Sequence, residues 1–138
     1  MGRRLLFLVL LVAWTFAHAE SLLVIANDAV PVDSISAGDL ASIYLIRTIR
    51  WGGGMAIVPV NREASSAARR SFSEEVVGQS PADLADYWNR LRFEGKRPPL
   101  VQTSDQAVIG FVHNVPGAIG YVSARVQISG VKVLLRLP

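Results

Sequence analysis

The sequence has no cysteine, and beyond its first nineteen residues it has a single histidine, His113. Thiol nucleophiles, disulfide staples and zinc sites built from Cys and His ligands are thereby excluded. Charge is also scarce, at 18% of the 138 residues against 51% hydrophobic. With Arg3 and Arg4 set aside, 12 basic residues face 11 acidic ones, so the chain lacks the basic footprint of a nucleic-acid binder. No internal repeat, linker or low-complexity tract interrupts it. What remains is the composition of one ordinary globular domain.

The longest apolar stretch stands at the front. Gly2-Arg3-Arg4 precedes an apolar run over residues 5–16, and Ala17-His18-Ala19 follows with the small-x-small pattern of a signal peptidase site. A run of about a dozen residues is short for a bilayer core of roughly 30 Å. Residues 1–19 therefore read as an export signal cleaved near Ala19, with no cysteine to take a lipid. The product is expected to be a soluble single domain over residues 20–138, periplasmic or secreted.

Along that domain, residues 22–26 form a short β-branched apolar run that suits a strand buried on both faces, ended by Asn27-Asp28. Ser36-Ala37-Gly38-Asp39 has the form of a helix start, and Leu40, Ile43 and Tyr44 continue at helical spacing over residues 37–46. Residues 55–60 read as a second buried strand that stops at Asn61-Arg62-Glu63. Helices are then expected over residues 67–77, stopped by Gly78, and over residues 82–91 after Ser80-Pro81. Residues 93–99 form a loop, because Pro98-Pro99 removes two donors. A further helix starts near Ser104-Asp105, and strands follow over residues 118–122 and 131–137. Strands separated by helices predict an α/β fold with a mainly parallel sheet flanked by helices, in which ligands gather beyond the carboxyl ends of strands. The positions to watch are those just after the first and second strands.

The same residues speak against catalysis. His113 sits near the expected end of a helix, where the dipole alone favours it. Glu74-Glu75 and the pair Asp83 and Asp86 fall on exposed helix faces, so no acid/base pair is assembled. Tyr87-Trp88-Asn89-Arg90-Leu91-Arg92 mixes aromatics with cations, as a single-strand binder would. Its aromatics, however, fit the inner stripe of a helix and its charges the outer face. Neither an enzyme nor a cofactor is expected.

The segment from Ile57 to Arg70 is more informative. A buried strand delivers Arg62 at its carboxyl end, and Ser65 and Ser66 follow at a helix start. A permanent cation, hydroxyl donors and free backbone N–H groups then converge, which is what a small oxyanion needs. A serine that merely caps its helix and an arginine that is merely solvated would leave the same trace.

This segment, with Ser36 to Trp51 and with Pro116-Gly117-Ala118-Ile119-Gly120-Tyr121-Val122, resembles the periplasmic phosphate-binding proteins of ABC transporters. The likeness is closest to short single-domain relatives, the phosphate transporter substrate-binding-like proteins, and it extends over nearly all of residues 22–137. It implies a single lobe of a type II periplasmic-binding-protein-like fold. In the resembled family the turn reads Arg-Ser-Asp-Gly-Ser-Gly-Thr, and its arginine, serine and threonine hold the anion. Arg62 takes the arginine position here and Ser66 the serine position. Ala64 stands at the aspartate, Ser65 and Ala67 at the glycines, and Ala68 at the threonine. The resemblance implies Arg62 and Ser66 as ligands and phosphate or another small oxyanion as what they hold; the strand ends and the serine turn themselves add Ser65 beside them and Asn27 and Asn61 as the expected rim. The partners it implies are a membrane permease or a sensor protein, and a second copy of the chain where the missing lobe would stand. The alternative is an envelope interaction or accessory module that keeps the fold without a ligand.

Overall fold

The computed structural model describes Ala13 and residues 20–138. The export signal expected over residues 1–19 thus lies outside the described residues, Ala13 excepted. Among the described residues, no helix is long and apolar enough to cross a membrane.

Chain order runs β1 (Leu22–Ala26), α1 (Ala37–Tyr44), β2 (Val58–Arg62), α2 (Ala67–Phe72) with a π-helical continuation (Ser73–Val77), α3 (Ala85–Phe93), β3 (Leu100–Gln102), α4 (Asp105–Asn114), β4 (Ala118–Ser123) and β5 (Lys132–Leu137). The strands build one sheet in the order β3-β2-β4-β1-β5. Pairing is parallel between β2 and each of β3 and β4, and antiparallel where β1 meets β4 and β5. Four strands therefore share a direction and β1 alone is reversed. Ala26, at the end of β1, and Pro59, near the start of β2, both stand opposite Ile119. The carboxyl ends of β1 and β2 consequently lie at opposite edges of the sheet, which corrects the expectation that they meet.

All five residues of β1 are buried, as a central strand covered on both faces requires. Its alternate side chains serve two cores. Leu22, Val24 and Ala26 join Leu40, Ile43 and Tyr44 of α1 and Phe72 of α2, while Leu23 and Ile25 join Val60 and the α4 residues Val108 and Val112. Helices thus cover both faces of the sheet, with α1 and α2 on one side and α4 on the other.

Serine caps set three helix starts where the sequence places them. Ser36 Oγ accepts from the Asp39 amide, Ser66 Oγ from Arg69 and Ser104 Oγ from Ala107, each satisfying an orphan donor of the first turn. Ser80 also caps a turn, through the Asp83 amide, but α3 proper begins only at Ala85. Beyond the expected stop, β2 runs on through Asn61 and Arg62, which pair with Val101 and Gln102 of β3. The sequence gives no sign of β3, since it is three residues long and two of them are exposed.

The glycines of Pro116-Gly117-Ala118-Ile119-Gly120 have a packing reason. Gly117 adopts φ 85°, and a Cβ there would lie 2.1 Å from the Ala56 carbonyl oxygen. Its own carbonyl accepts from the Val58 amide and the Trp51 indole. A Cβ at Gly120 would lie 2.7 Å from Val108 Cγ1, so this glycine lets α4 lie against β4. Gly117 thus ties the start of β4 to β2, Gly120 seats α4 on β4, and Tyr121 follows one residue later to reach the end of β2.

Candidate functional site

The carboxyl end of β2 presents Asn61 and Arg62, whose side chains leave opposite faces of the sheet because strand side chains alternate. Val60 belongs to the α4 core, so Arg62 shares the α4 side and Asn61 the α2 side.

On the α4 side, Arg62 is clamped by two carboxylates. Its Nη1 pairs with Asp105 Oδ1 at the start of α4. Its Nε and Nη2 fork onto Glu63, at 3.3 and 2.9 Å. The guanidinium is mostly covered, with 13% of its side chain exposed. The bond from Glu63 raises the Arg62 pKa above its ordinary value, against a smaller opposing effect of burial. Arg62 in turn holds the Glu63 carboxyl below its usual range. Two of the five guanidinium N–H donors have no partner among the described residues.

On the α2 side, hydrogen-bond polarity fixes Asn61. The Arg62 amide can only donate, and it donates to the Tyr121 hydroxyl at 3.1 Å. That hydroxyl must then donate onward, and it reaches Asn61 Oδ1 at 2.7 Å. Asn61, 6% exposed, is thereby held with its carbonyl inward and its amide nitrogen turned away from the core. Tyr121 is itself fully buried, stacked on Phe72 with ring centroids 3.9 Å apart. Burial pushes its phenol up to about 12.

The serine turn joins the two sides. Ser66 Oγ is committed to capping α2 through the Arg69 amide, whereas Ser65 is exposed, with no side-chain partner among the described residues. Arg69, which the sequence reading passed over, reaches back to donate from Nη1 to the Arg62 carbonyl at 2.8 Å. A cation in the first turn of a helix opposes the macrodipole. That placement was the available signal that Arg69 answers to something other than helix stability.

Asn61, Ala64 and Arg69 open onto a cleft of about 380 Å³, walled by Trp88, Asn89 and Arg92 of α3 and by Pro98, Pro99 and Val101. Among the described residues no carboxylate lines it.

The structure therefore brings Asn61, Arg62, Ser65 and Ser66 to one edge of the sheet and adds Glu63, Arg69, Asp105 and Tyr121. Asn27 is not there. It lies at the opposite edge, because β1 is reversed, and its Nδ2 donates to the Val112 and His113 carbonyls while Oδ1 accepts from the Ala29 amide. Its role is to tie the end of β1 to α4, and the proposed rim loses that member. His113 holds the Gly130 carbonyl through Nδ1 at 2.8 Å, at the C-terminal turn of α4. Among the described residues no group of three His, Asp or Glu side chains is gathered as a metal site would need.

No protein-family profile and no curated protein sequence matches the chain. Solved structures do. An ABC-type phosphate transport receptor from Vibrio cholerae superposes with a TM-score of 0.63 at 24% identity, over 83% of this chain and 45% of its own. A Clostridium perfringens protein assigned as a phosphate ABC transporter substrate-binding protein, solved with bound phosphate, gives 0.67 at 23%, over 83% and 44%. PstS from Borrelia burgdorferi gives 0.63 at 18%, over 83% and 46%. The chain thus has the α/β fold of one lobe of these binding proteins and spans about half their length.

Proposed function

We propose that the chain is an exported, non-catalytic solute-binding-like protein whose ligand is phosphate or another small oxyanion, serving a membrane permease or a sensor. The fold supports a solute-binding role, since its solved neighbours are phosphate-binding proteins. One observation carries the ligand class: Arg62 and Arg69 are joined through a single backbone carbonyl and flank the serine turn. The turn thus carries a guanidinium on each side, with the exposed Ser65 hydroxyl between them in the chain, donors of the kind a small oxyanion takes. The carboxylates on Arg62 have a consequence for choice of anion. Ala64 supplies no acceptor, but Glu63 and Asp105 stand beside the same guanidinium and can accept from the hydroxyl of a protonated oxyanion. Hydrogen phosphate has such a hydroxyl and sulfate does not, so the arrangement favours phosphate.

A second reading rests on the same clamp together with exposed apolar side chains. Two carboxylates balance the charge of Arg62, and Phe93, Leu100 and Val101 are exposed, Phe93 at 93%. An interaction module that keeps the fold without a ligand would show both features.

Calorimetric titration of the protein with phosphate and then sulfate separates the two. Saturable heat with phosphate, lost in Arg62→Ala and weakened in Ser65→Ala, supports the oxyanion receptor. Absence of heat and of thermal stabilisation at millimolar anion supports the interaction module.

A further inference from the structure

The cleft beside the serine turn is too large for the ligand class just proposed. Its 380 Å³ falls within the range, about 300–1,000 Å³, of pockets that receive whole organic molecules. A bare tetrahedral oxyanion, the size of a few waters at roughly 30 Å³ each, would leave most of it empty. The walls are also unequal. At the inner end stand the Arg69 guanidinium and the Asn61 amide nitrogen, which the Tyr121 hydroxyl turns outward by occupying Oδ1. No side-chain N or O atom buried among the described residues lacks a partner. The Asn61 nitrogen, which has no acceptor among the described residues, is therefore open to the cleft.

The outer walls are different in kind. Half-buried Trp88 lines the cleft together with exposed Pro98 and buried Pro99, and Arg92, also lining it, is exposed. Two guanidinium groups with no lining carboxylate make the cleft electropositive, whereas the charge of Arg62 is balanced by Glu63 and Asp105. An amide donor open to the cleft, two cations and an apolar wall form a set that neither inorganic phosphate nor an apolar ligand would use in full.

We infer that this cleft is a binding site for a small organic phosphate. The phosphoryl head is held by Arg69, Arg92 and Asn61 Nδ2, and a planar or apolar body lies against Trp88 and the two prolines. This rests on the oxyanion reading for the class of head group and shares Arg69 with it, but places the head in the cleft instead of on Arg62 and names the body that fills the rest of the volume. Asn61 acts as a donor fixed in place, so its contribution depends on Tyr121.

The test is calorimetry of the full chain with three probes, inorganic phosphate, methyl phosphate and phenyl phosphate, with tryptophan emission followed in parallel. Phenyl phosphate is expected to bind at least tenfold more tightly than inorganic phosphate, with methyl phosphate between them. Its emission change should be saturable and absent in Trp88→Phe, because the other tryptophan among the described residues, Trp51, is buried with its indole N–H held by Gly117, and Trp14 is common to both proteins compared. Arg92→Ala, a substitution on an exposed helix face that leaves the core intact, is expected to lose at least fivefold in phenyl phosphate affinity. If inorganic phosphate binds and phenyl phosphate binds no better, the organic-phosphate site is overturned while the oxyanion reading stands. If Arg92→Ala leaves phenyl phosphate affinity unchanged, the cleft is likewise overturned as the site. If none of the three binds, both readings fall together.

Discussion

The Tyr121 hydroxyl joins two strands by polarity, accepting from the Arg62 amide at 3.1 Å and donating to Asn61 Oδ1 at 2.7 Å. The ring that carries it is fully buried in a cluster with Phe72 and Tyr44. Tyr121→Phe keeps the ring and removes the relay, leaving a buried amide N–H and a buried carbonyl oxygen without partners. The expected loss is about 1–3 kcal/mol of stability, read as a lower urea midpoint at unchanged slope. An unchanged midpoint would mean that water replaces the hydroxyl.

The same phenol makes stability depend on alkaline pH. Tyr121 is held at about 12 in the folded chain against 10.0 when free, because burial disfavours the phenolate. Between those values the unfolded chain loses its proton while the folded chain keeps it. Stabilisation from this group is therefore complete below pH 10 and is lost as pH rises through about 12, an interval equivalent to about 2–3 kcal/mol. Tyr44, also raised by burial and by Tyr121 beside it, acts in the same direction. Urea midpoints measured from pH 8 to 11.5 should fall steeply above pH 10, and Tyr121→Phe should flatten part of the slope.

Gly117 provides a test of the turn that positions β4. At φ 85° an L side chain is strained, and its Cβ would meet the Ala56 carbonyl oxygen at 2.1 Å, a backbone atom that cannot swing aside. Gly117→Ala should cost at least about 2 kcal/mol. At Gly120 the obstacle is Val108 Cγ1, and the double variant Gly120→Ala with Val108→Ala should recover part of the Gly120→Ala loss. Thermal melts of the three variants decide whether these glycines are there for close packing.

Much of the fold was legible because it is written locally. The serines at 36, 66 and 104 cap their helices in the structure as residue type predicts, and Gly78 stops its helix in the left-handed conformation. The buried run of β1 was equally plain, but its direction was not. Strand direction depends on which neighbours a strand joins, and the pairing of Ala26 with Ile119 spans most of the chain. Asn27 was misplaced for that reason alone. β3 was invisible because Leu100 and Val101 are exposed and the strand exists only through its register with Val60, Asn61 and Arg62. Arg62 was legible at the strand end. Its neutralising partner Asp105 was not, since 43 residues separate the two.

That partner gives the sharpest test of the oxyanion reading. Asp105 accepts from Arg62 Nη1 and lies beside the turn where the anion is proposed to sit. Asp105→Asn removes one negative charge from the Arg62 environment and leaves Glu63 to hold the guanidinium through Nε and Nη2. The substituted amide can still accept through its oxygen, so the geometry of Arg62 is kept while its charge is less balanced. Phosphate affinity should rise about three- to tenfold, or about 0.6–1.4 kcal/mol, with a steeper dependence on salt. Sulfate should gain more than phosphate, because the variant loses a carboxylate that accepts from a protonated oxyanion and repels one without a proton. The phosphate-to-sulfate preference should therefore narrow in Asp105→Asn. A variant that binds both anions no better than the parent would place the anion away from Arg62, and the clamp would then serve only to fasten α4 to β2.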